Sequence, residues 1–324
     1  MTLPVVIVSY NTASLLRQCL AALLRSERPS LDIWVVENGS RDGTVEMLRG
    51  EYPSVRLLTQ EQNLGFAAAN NVALRAMGFS GPGTRVAEGT AAMGSTLSTA
   101  SGPATEYVLL LNPDTEVRPG AIASLLDFMR LHPRAGMTGA QLIYPDGRFQ
   151  HSAFHFPGIS QTFLDLFPLN HRLMDSCLNG RYPRRQSPFA VDHPLGACML
   201  VRGDAIREVG LLDEGYFMYV EEVDWCRRLR RAGWEVWCEP RALVVHHEAQ
   251  STRQFRESMY VQLWRSRDRY FRSYHGAVYV SLIHAVMRWG FSRELRRLQR
   301  DPVLSPDERA RRSAAVGEVK EKFT

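Results

Sequence analysis

Short apolar runs alternate with amphipathic helical segments along the first part of the chain, and this alternation is the strongest constraint on its fold. Runs rich in Val, Ile and Leu have the length of buried strands at residues 4–9, 32–36, 55–59 and 107–111. Apolar residues with a helical spacing follow each run, at residues 15–24, 42–48, 67–77 and 122–131. Successive strand–helix units place parallel strands side by side, so the sequence predicts an α/β fold with a mostly parallel central sheet flanked by helices.

The rest of the chain divides into regions of different composition. Residues 78–105 consist mainly of Gly, Ser, Thr, Ala and Pro, which predicts a flexible low-complexity insertion. Residues 251–300 are predicted to be helical, and the charged tail from Asp301 is predicted to be frayed. We therefore expect one main domain over residues 1–252 and a helical C-terminal region over residues 253–324. Further short elements are predicted as strands at 140–144, 191–202, 234–237 and 242–245, and as helices at 204–209 and 222–232.

Length and composition indicate a globular protein with a sizeable core. Of its 324 residues, 45% are hydrophobic and 23% are charged, a balance typical of globular domains. The net charge of +5 is concentrated after Arg227, where it predicts a face toward anionic lipid or nucleic acid, or a solvated helix face. The five cysteines show no CxxC spacing, which favours reduced core thiols in a cytoplasmic protein. No signal peptide is predicted, and residues 277–291 are too short and too polar to span a bilayer.

Polar residues follow every early strand, and the carboxyl ends of parallel strands meet at one edge of a sheet. Each of these residues could be a turn former or a helix cap, but that explanation fits four strand ends in succession poorly. The chain lacks GxGxxG and GxxxxGK[ST], which argues against a dinucleotide or P-loop site. Amides and acids suit a base and a ribose, and a single acid can take Mg²⁺ or Mn²⁺. The strand-end residues are Asn11, Glu37, Asn38, Asn63, Asn112 and Asp114.

A second cluster, YFMYVEEVDW at residues 216–225, holds three acids beside four aromatic residues. Carboxylates next to one another and to apolar rings should have raised pKa values, as a general base near neutral pH requires. The acids Glu221, Glu222 and Asp224 would also suit a helix N-terminus, and both explanations can hold together. A third cluster, His246-His247-Glu248, follows a predicted strand, where a neutral imidazole could bind a metal.

Taken together, these motifs resemble the inverting GT-A glycosyltransferases of family 2, and within that family the bacterial rhamnosyltransferase-like enzymes. The similarity covers about residues 3–252, apart from the insertion. It implies a GT-A catalytic domain with a Rossmann-like nucleotide-binding half. The motifs that carry it are VVIVSYN, VVENGSRDGT, NLGFAAANN, LLLNPDTEV, GACMLVR, GLLDEGYFMYVEEVDWCRRLRRAGW and VVHHEAQST.

The resemblance implies a set of donor-binding residues. Asn112-Pro113-Asp114 stands where the family has its DxD-type motif, so Asp114 would be the principal metal ligand, completed by His246 rather than His247. The cation would be Mg²⁺ or Mn²⁺. Family members usually have Asp at the position of Glu37. The residues expected to hold or border the nucleotide-sugar are Ser9, Tyr10, Asn11, Glu37, Asn38, Asn63, Gly65, Asn70, Asn112 and Asp114.

The resemblance also implies an inverting single displacement. Glu222 stands at the second place of the family's ED motif, usually Asp, and would remove the proton of an acceptor hydroxyl. Glu221 or Asp224 could share this role. Aromatic residues between 151 and 189 would either meet the acceptor or pack in the core. The other expected acceptor contacts are Gly196, Ala197, Cys198 and Trp225.

The resemblance further suggests substrates and partners. The donor would be dTDP-rhamnose first, then a UDP-linked hexose or galactofuranose, and the acceptor a glycan or lipid-linked glycan of a cell-surface polysaccharide. No nucleic-acid partner is predicted. The C-terminal helices could rest on the inner face of the plasma membrane, pack against the catalytic domain, or pair with a second copy in a homodimer. Two other functions stay open: a non-catalytic nucleotide-sugar-binding protein, or a nucleotidyltransferase, although the latter would normally have a Gly-rich basic loop where this chain has Tyr10-Asn11-Thr12.

Overall fold

The computed structural model of the chain describes residues 2–25, 29–80, 105–168, 170–247 and 256–323. The predicted insertion lies outside the described residues over 81–104, and so does Glu248 of the predicted histidine cluster.

Strands and helices alternate through the first part of the chain, as the sequence predicts. The strands are β1 (Thr2–Ser9), β2 (Ser30–Glu37), β3 (Arg56–Thr59), β4 (Tyr107–Leu111), β5 (Thr115–Val117), β6 (Ala135–Ile143), β7 (Phe149–Gln150), β8 (Ala153–Phe154), β9 (Phe189–Ala190), β10 (His193–Pro194), β11 (Cys198–Arg202) and β12 (Glu235–His246). The helices are α1 (Ala13–Leu24), α2 (Thr44–Glu51), α3 (Phe66–Ala76), α4 (Ala121–Leu131), α5 (Ile159–Leu166), α6 (His171–Met174), α7 (Gly203–Val209), α8 (Glu221–Arg231), α9 (Arg256–Tyr274), α10 (Ala277–Arg300) and α11 (Pro306–Glu321), with a 3₁₀ turn at Cys177–Asn179.

The described strands form a mixed sheet in the order β3-β2-β1-β4-β11-β6-β12-β5. The first four strands of that order run parallel, as do β6 and β12. Strand β11 lies between β4 and β6 and runs antiparallel to both. The predicted mostly parallel α/β sheet is therefore confirmed, and its parallel part is formed by β3, β2, β1 and β4.

Alternating residues of β1 pack against two separate layers of helices, one on each face of the sheet. Val5 and Ile7 pack in a core with α1 and α4, whereas Val6 packs in a second core with α3 and α8. Side chains along a strand point to opposite faces, so a run that is apolar at every position fits a sheet covered on both sides. This arrangement leaves the carboxyl edge of the sheet as the place where a ligand can bind.

Strand β12 differs from the prediction, which divided it into strands at 234–237 and 242–245. It is continuous, with an irregular register between Glu239 and Leu243 against β6. Pro240 has no backbone N–H to donate, so it is accommodated at such an irregularity rather than in a regular ladder. Because β12 continues past Pro240, it carries His246 to the carboxyl edge of the sheet.

The C-terminal tail also differs from the prediction, because it forms α11 instead of a frayed end. Pro306 starts the helix, and the Ser305 hydroxyl caps it by accepting from the backbone N–H of Glu308 (3.2 Å). Although most residues of α11 are polar or charged, Ala315, Val316 and Val319 form one apolar face, and this face is buried.

Helices α9, α10 and α11 share a third core, which also takes in Tyr216, Val220 and Val223 of the main domain. Three arrangements were left open for the C-terminal region, and the structure shows one of them, packing against the main domain. Within the part of the chain that the structure describes, none of the helices combines the length and apolarity needed to cross a bilayer.

Candidate active site

A cavity of about 370 Å³ opens at the carboxyl edge of the sheet, between the ends of β1 and β4, the start of α8 and the start of α9. Most of the predicted strand-end residues and both predicted glutamates face it, which places the three sequence clusters around one cleft. The predicted residues that line it are Tyr10, Asn38, Asn63, Gly65, Asn112, Asp114, Gly196, Ala197, Glu221, Glu222 and His246.

One side of the cleft is built on amide hydrogen bonds that fix two loops together. Nδ2 of Asn38 donates to Oδ1 of Asn63 (2.9 Å), and Oδ1 of Asn38 accepts from the backbone N–H of Leu64 (2.9 Å). Gly65 follows with a φ of +82°. A Cβ at that position would lie 2.1 Å from the Phe217 carbonyl oxygen, so only glycine allows the close approach of these backbones.

Several predicted donor residues support this side of the cleft without lining it. The Ser9 hydroxyl bonds that of Thr12 (3.0 Å), and the Glu37 carboxylate accepts from the backbone N–H of Ser40 (2.5 Å). Asn11, with a φ of 51°, accepts from the backbone N–H of Arg41 through its side chain (2.8 Å). Asn70 is buried and donates to the Phe66 carbonyl within α3 (2.9 Å). Their hydrogen bonds therefore shape the loops that border the cleft, and their role in nucleotide binding stays a prediction.

The opposite side of the cleft brings together an amide, a carboxylate and an imidazole. Nε2 of His246 lies 3.5 Å from Oδ1 of Asp114, and both side chains are buried. Nδ1 of His246 lies 3.3 Å from Oε1 of Gln150. Since that amide oxygen only accepts, Nδ1 donates, and Nε2 is the ring nitrogen that faces Asp114 and could bind a metal through its lone pair. Oδ1 of Asn112 is buried and has no hydrogen-bond partner among the described residues.

These atoms fit a divalent cation that also binds substrate phosphates. Electron-pair donors of Asp114 and His246 face each other, and an unpartnered amide oxygen lies in the same cleft. No group of three or more His, Cys, Asp and Glu side chains with the arrangement of a metal site occurs among the described residues. Magnesium commonly takes only one or two carboxylates from the protein and completes its shell with phosphates and water. His247 lies apart, because its Nε2 contacts Oε1 of Glu116 (2.8 Å).

The two glutamates enter the cleft from the first turn of α8. Glu221 and Glu222 are 4% and 9% exposed, and Oε2 of Glu221 has no hydrogen-bond partner within the part of the chain that the structure describes. Burial raises the pKa of Glu222 to about 7. Burial and the adjacent Glu222 carboxylate raise the pKa of Glu221 well above its ordinary value. A buried carboxyl with a pKa near neutrality is suited to accept a proton from a substrate hydroxyl.

Three other predicted residues do not reach the cleft. Asp224 is buried, and its carboxylate accepts from Nε of Arg228 (2.8 Å) and from the Tyr274 hydroxyl (2.7 Å). Trp225 is fully buried, and its Nε1 donates to the Gly210 carbonyl (2.9 Å). Cys198 is buried in the sheet, which raises the pKa of its thiol to about 12. A sugar could contact none of these side chains without opening the core.

The cleft also has an apolar wall that the residue assignments did not include. Phe217, Met218 and Tyr219 lie in the aromatic run next to the glutamates, so the sequence signal for them was present. Met259 comes from α9, and nothing in its sequence surroundings indicates a place in the cleft.

The sheet order and the acid-lined cleft at its carboxyl edge define a GT-A-type glycosyltransferase. Residues 2–276 match the family described as glycosyltransferase like family 2, and the chain belongs to that family. It is 36% identical over 254 residues to the N-acetylglucosaminyl-diphospho-decaprenol L-rhamnosyltransferase of Mycobacterium tuberculosis, covering 77% of each chain. It is 28% identical over 152 residues to a rhamnosyltransferase of Escherichia coli K12, covering 46% of this chain and 55% of that protein. The resemblance to the rhamnosyltransferase-like branch is thereby confirmed.

Two solved structures share the fold at low sequence identity. A mannosyltransferase from Pyrobaculum calidifontis, in complex with GDP-Man and Mn²⁺, superposes with a TM-score of 0.56 at 13% identity, covering 99% of this chain and 86% of that one. GalNAc-T7 with UDP, GalNAc and Mn²⁺ superposes with a TM-score of 0.53 at 14% identity, covering 76% of this chain and 43% of that one. At these identities the likeness establishes the GT-A fold.

Proposed function

We propose that the protein is an inverting rhamnosyltransferase that acts in cell-wall polysaccharide synthesis. It would move rhamnose from a nucleotide-diphosphate donor, dTDP-rhamnose first, to a hydroxyl of a lipid-linked glycan. The observation that carries this proposal is the convergence of Glu222, Asp114 and His246 on one cleft. The names of the Mycobacterium tuberculosis and Escherichia coli relatives support the sugar, and the first of them supports a polyprenyl-diphosphate acceptor.

The donor occupies the side of the cleft formed by the parallel strands in this proposal. Tyr10 offers an aromatic face and Asn63 an amide to a base and a ribose, and Asn38 holds the Asn63 side chain in place. Asp114, His246 and Asn112 would hold Mg²⁺ or Mn²⁺ next to the diphosphate. A cation bound there supplies positive charge that stabilises the departing nucleoside diphosphate.

Glu222 is the catalytic base in this proposal. Its ionised carboxylate takes the proton of the acceptor hydroxyl while that oxygen attacks the anomeric carbon from the face opposite the diphosphate, which inverts the configuration. Burial and the adjacent Glu222 carboxylate raise the pKa of Glu221, and its protonated form would donate a hydrogen bond to a substrate oxygen. Gly196 and Ala197 line the cleft with Glu222 and leave room for the acceptor.

A contact between α10 and a membrane surface belongs to the same proposal. The inward face of α10 is already buried through Val280, Ile283 and Met287. Its outward face nevertheless carries Val278, Leu282 and Trp289, which are 77%, 55% and 56% exposed, although one side of the Trp289 ring packs on Phe167. A helix that is apolar on both faces is expected to have a partner on each.

The sequence of α10 suggests what that outer partner is. The stripe formed by Val278, Leu282 and Trp289 continues, one helical turn after another, into Arg293, Arg296 and Arg300. A Trp-containing apolar stripe next to arginines suits the interface of an anionic bilayer. This contact would place the enzyme at the inner face of the plasma membrane, where a lipid-linked acceptor is available.

The function is tested by transfer from defined donors to a synthetic polyprenyl-diphosphate N-acetylglucosamine acceptor. Purified protein is incubated with dTDP-rhamnose or UDP-sugars and Mg²⁺ or Mn²⁺, and nucleoside diphosphate release and glycolipid product are followed together. We expect acceptor-dependent release of dTDP and a product of inverted anomeric configuration. Tight donor binding without release, for every donor and acceptor pair, would instead identify a non-catalytic binding protein.

A further inference from the structure

The acid pair is held in the cleft by a loop with an unfavourable backbone. Tyr219 and Val220, directly before Glu221, have φ values of 67° and 72°. This left-handed conformation is disfavoured for residues with a side chain, and most of all for a β-branched one such as valine. Such a conformation persists only where the surroundings hold it in place. The contacts of this loop therefore decide where the two carboxylates point.

Helix α9 provides one of these contacts, from outside the predicted catalytic domain. The Ser266 hydroxyl, which is 4% exposed, donates to the carbonyl oxygen of Met218 (2.8 Å). From the other side, the backbone N–H of Phe66 donates to the carbonyl oxygen of Phe217 (2.7 Å). The two peptide groups that precede the left-handed pair are thus fixed between α3 and α9.

The same helix also holds both ends of the loop. Nη2 of Arg269 donates to Oδ2 of Asp213 (2.7 Å) before the loop, and the Tyr274 hydroxyl donates to Oδ1 of Asp224 (2.7 Å) after it. Ser266 and Tyr274 are two helical turns apart, so they lie on one face of α9. The apolar side chains of Val220 and Val223 complete the contact, because they pack in the core of the C-terminal helices.

We propose that Ser266 is a positioning residue for the acid pair, and that α9 completes the active site. Its hydrogen bond to Met218 holds the left-handed step that aims Glu221 and Glu222 into the cleft. This inference rests on the proposed function, since it assumes that Glu222 acts on the acceptor. It assigns to the C-terminal region a part in placing the two carboxylates, in addition to its packing against the main domain.

The test compares Ser266→Ala with Ser292→Ala in the full-length protein. Ser292 is a matched control, because its hydroxyl also donates to a carbonyl, that of Arg288 (2.7 Å), but on α10 away from the loop. We expect Ser266→Ala to lower kcat by roughly 10- to 100-fold, the scale typical of small misplacements of reacting groups. The KM for the nucleotide-sugar should stay close to that of Ser292→Ala, because the donor side of the cleft is untouched. The melting temperature should fall only by the loss of one buried hydrogen bond.

A second readout separates positioning from a loss of folded protein. A loosened loop exposes Glu222 to water, which lowers its pKa, so the acidic limb of the pH profile of kcat/KM should move to lower pH in Ser266→Ala. A smaller fraction of folded enzyme would lower activity equally at every pH. If Ser266→Ala does not fold, Tyr274→Phe removes the hydrogen bond to Asp224 on the same face and carries the same test.

The outcomes are distinct from those of the proposed function. Loss of kcat with unchanged KM and a shifted acidic limb supports the positioning role. Wild-type kcat in both Ser266→Ala and Tyr274→Phe overturns it, and so does a loss of kcat that is matched by a lower melting temperature at an unchanged pH profile. An inactive wild-type protein, with every donor and acceptor, would count against the proposed function instead.

Discussion

Nε2 of His246 lies 3.5 Å from Oδ1 of Asp114, although the two residues belong to different parts of the sheet. Asp114 follows β4, whereas His246 ends β12. They meet because β12 pairs antiparallel with β5, with His246 opposite Thr115, the neighbour of Asp114. The long strand β12 therefore supplies His246, the second residue of the proposed cation site.

Replacing Asp114 with Asn should remove the cation dependence of nucleotide binding. The amide keeps the shape of the side chain but loses its charge, so we expect the affinity for dTDP with Mn²⁺ to fall at least ~10-fold, as when metal sites lose an important contact. Calorimetric titration with and without EDTA measures this. Asp146→Asn is the control, because that exposed carboxylate pairs with Arg148 in a turn. An affinity that depends on Mn²⁺ as strongly as in the wild type would remove Asp114 from the site.

Replacing Glu222 with Gln should stop chemistry while leaving donor binding intact. A general base typically contributes about 10²- to 10⁴-fold to a rate, and the amide cannot accept the acceptor proton. We expect kcat to fall by that range while the Kd for dTDP stays unchanged. Glu221→Gln, one residue away and equally buried, is the matched variant and should retain more activity. The reverse ranking would move the base role to Glu221.

The pH dependence of transfer should follow the ionisation of Glu222. Burial raises its pKa to about 7, and a base acts only when deprotonated. The rate constant kcat/KM should therefore rise with pH through about 7 and level off above it. The neighbouring acids are Glu221, whose own pKa is raised by burial and by Glu222, and Asp224, which is paired with Arg228. An acidic limb near the ordinary pKa of a glutamate would show that Glu222 is not the titrating base.

The sheet and half of the cleft could be predicted from the sequence, because local patterns of apolar and polar residues determine them. Buried strands are short apolar runs, and the polar residues that end them, Asn38, Asn63 and Asp114, meet at one edge whatever the details of packing. Strand β12 was predicted as two strands, because Pro240 interrupts the apolar pattern of the sequence without interrupting the strand.

The other residues of the candidate site could not be predicted from the sequence, because their positions depend on which way a helix faces. Glu222 and Asp224 are two positions apart on α8, so their side chains point about 200° apart and Asp224 turns away from the cleft. Trp225 lies one helical turn beyond Glu221, where its ring is enclosed by the core and bonded to Gly210. The place of Met259 and Ser266 beside the cleft depends on how α9 packs, which no local pattern records.

Gly65 should tolerate no side chain, and the effect should exceed ordinary backbone strain. Gly43 has the same φ of +82°, and a Cβ added there would meet nothing within 4 Å, so Gly43→Ala measures the cost of a positive φ alone. That cost is about 1–2 kcal/mol of folding free energy. Gly65→Ala adds a clash with the Phe217 carbonyl oxygen and should cost more, with lower activity because the loop before Glu221 must shift. Equal denaturation midpoints for the two variants would contradict this.

Substituting the outward face of α10 should weaken membrane binding without changing catalysis in solution. Trp289→Glu and Leu282→Glu place a charge in the apolar stripe, where it would be repelled by an anionic bilayer. We expect these variants to float less with phosphatidylglycerol-containing liposomes than the wild type does. Leu131→Glu is the control, because Leu131 is 76% exposed at the end of α4, on a different part of the surface.

The same variants separate a bilayer from a second copy of the chain as the partner of α10. Binding to a bilayer predicts that flotation weakens with rising salt, since arginines contribute to it, and that the mass in solution is that of a monomer for wild type and variants. If Trp289→Glu leaves flotation unchanged but converts a dimer to a monomer, the stripe is a protein interface. Transfer to a water-soluble acceptor analogue should be equal in all of these proteins, because α10 contributes no residue to the lining of the cleft.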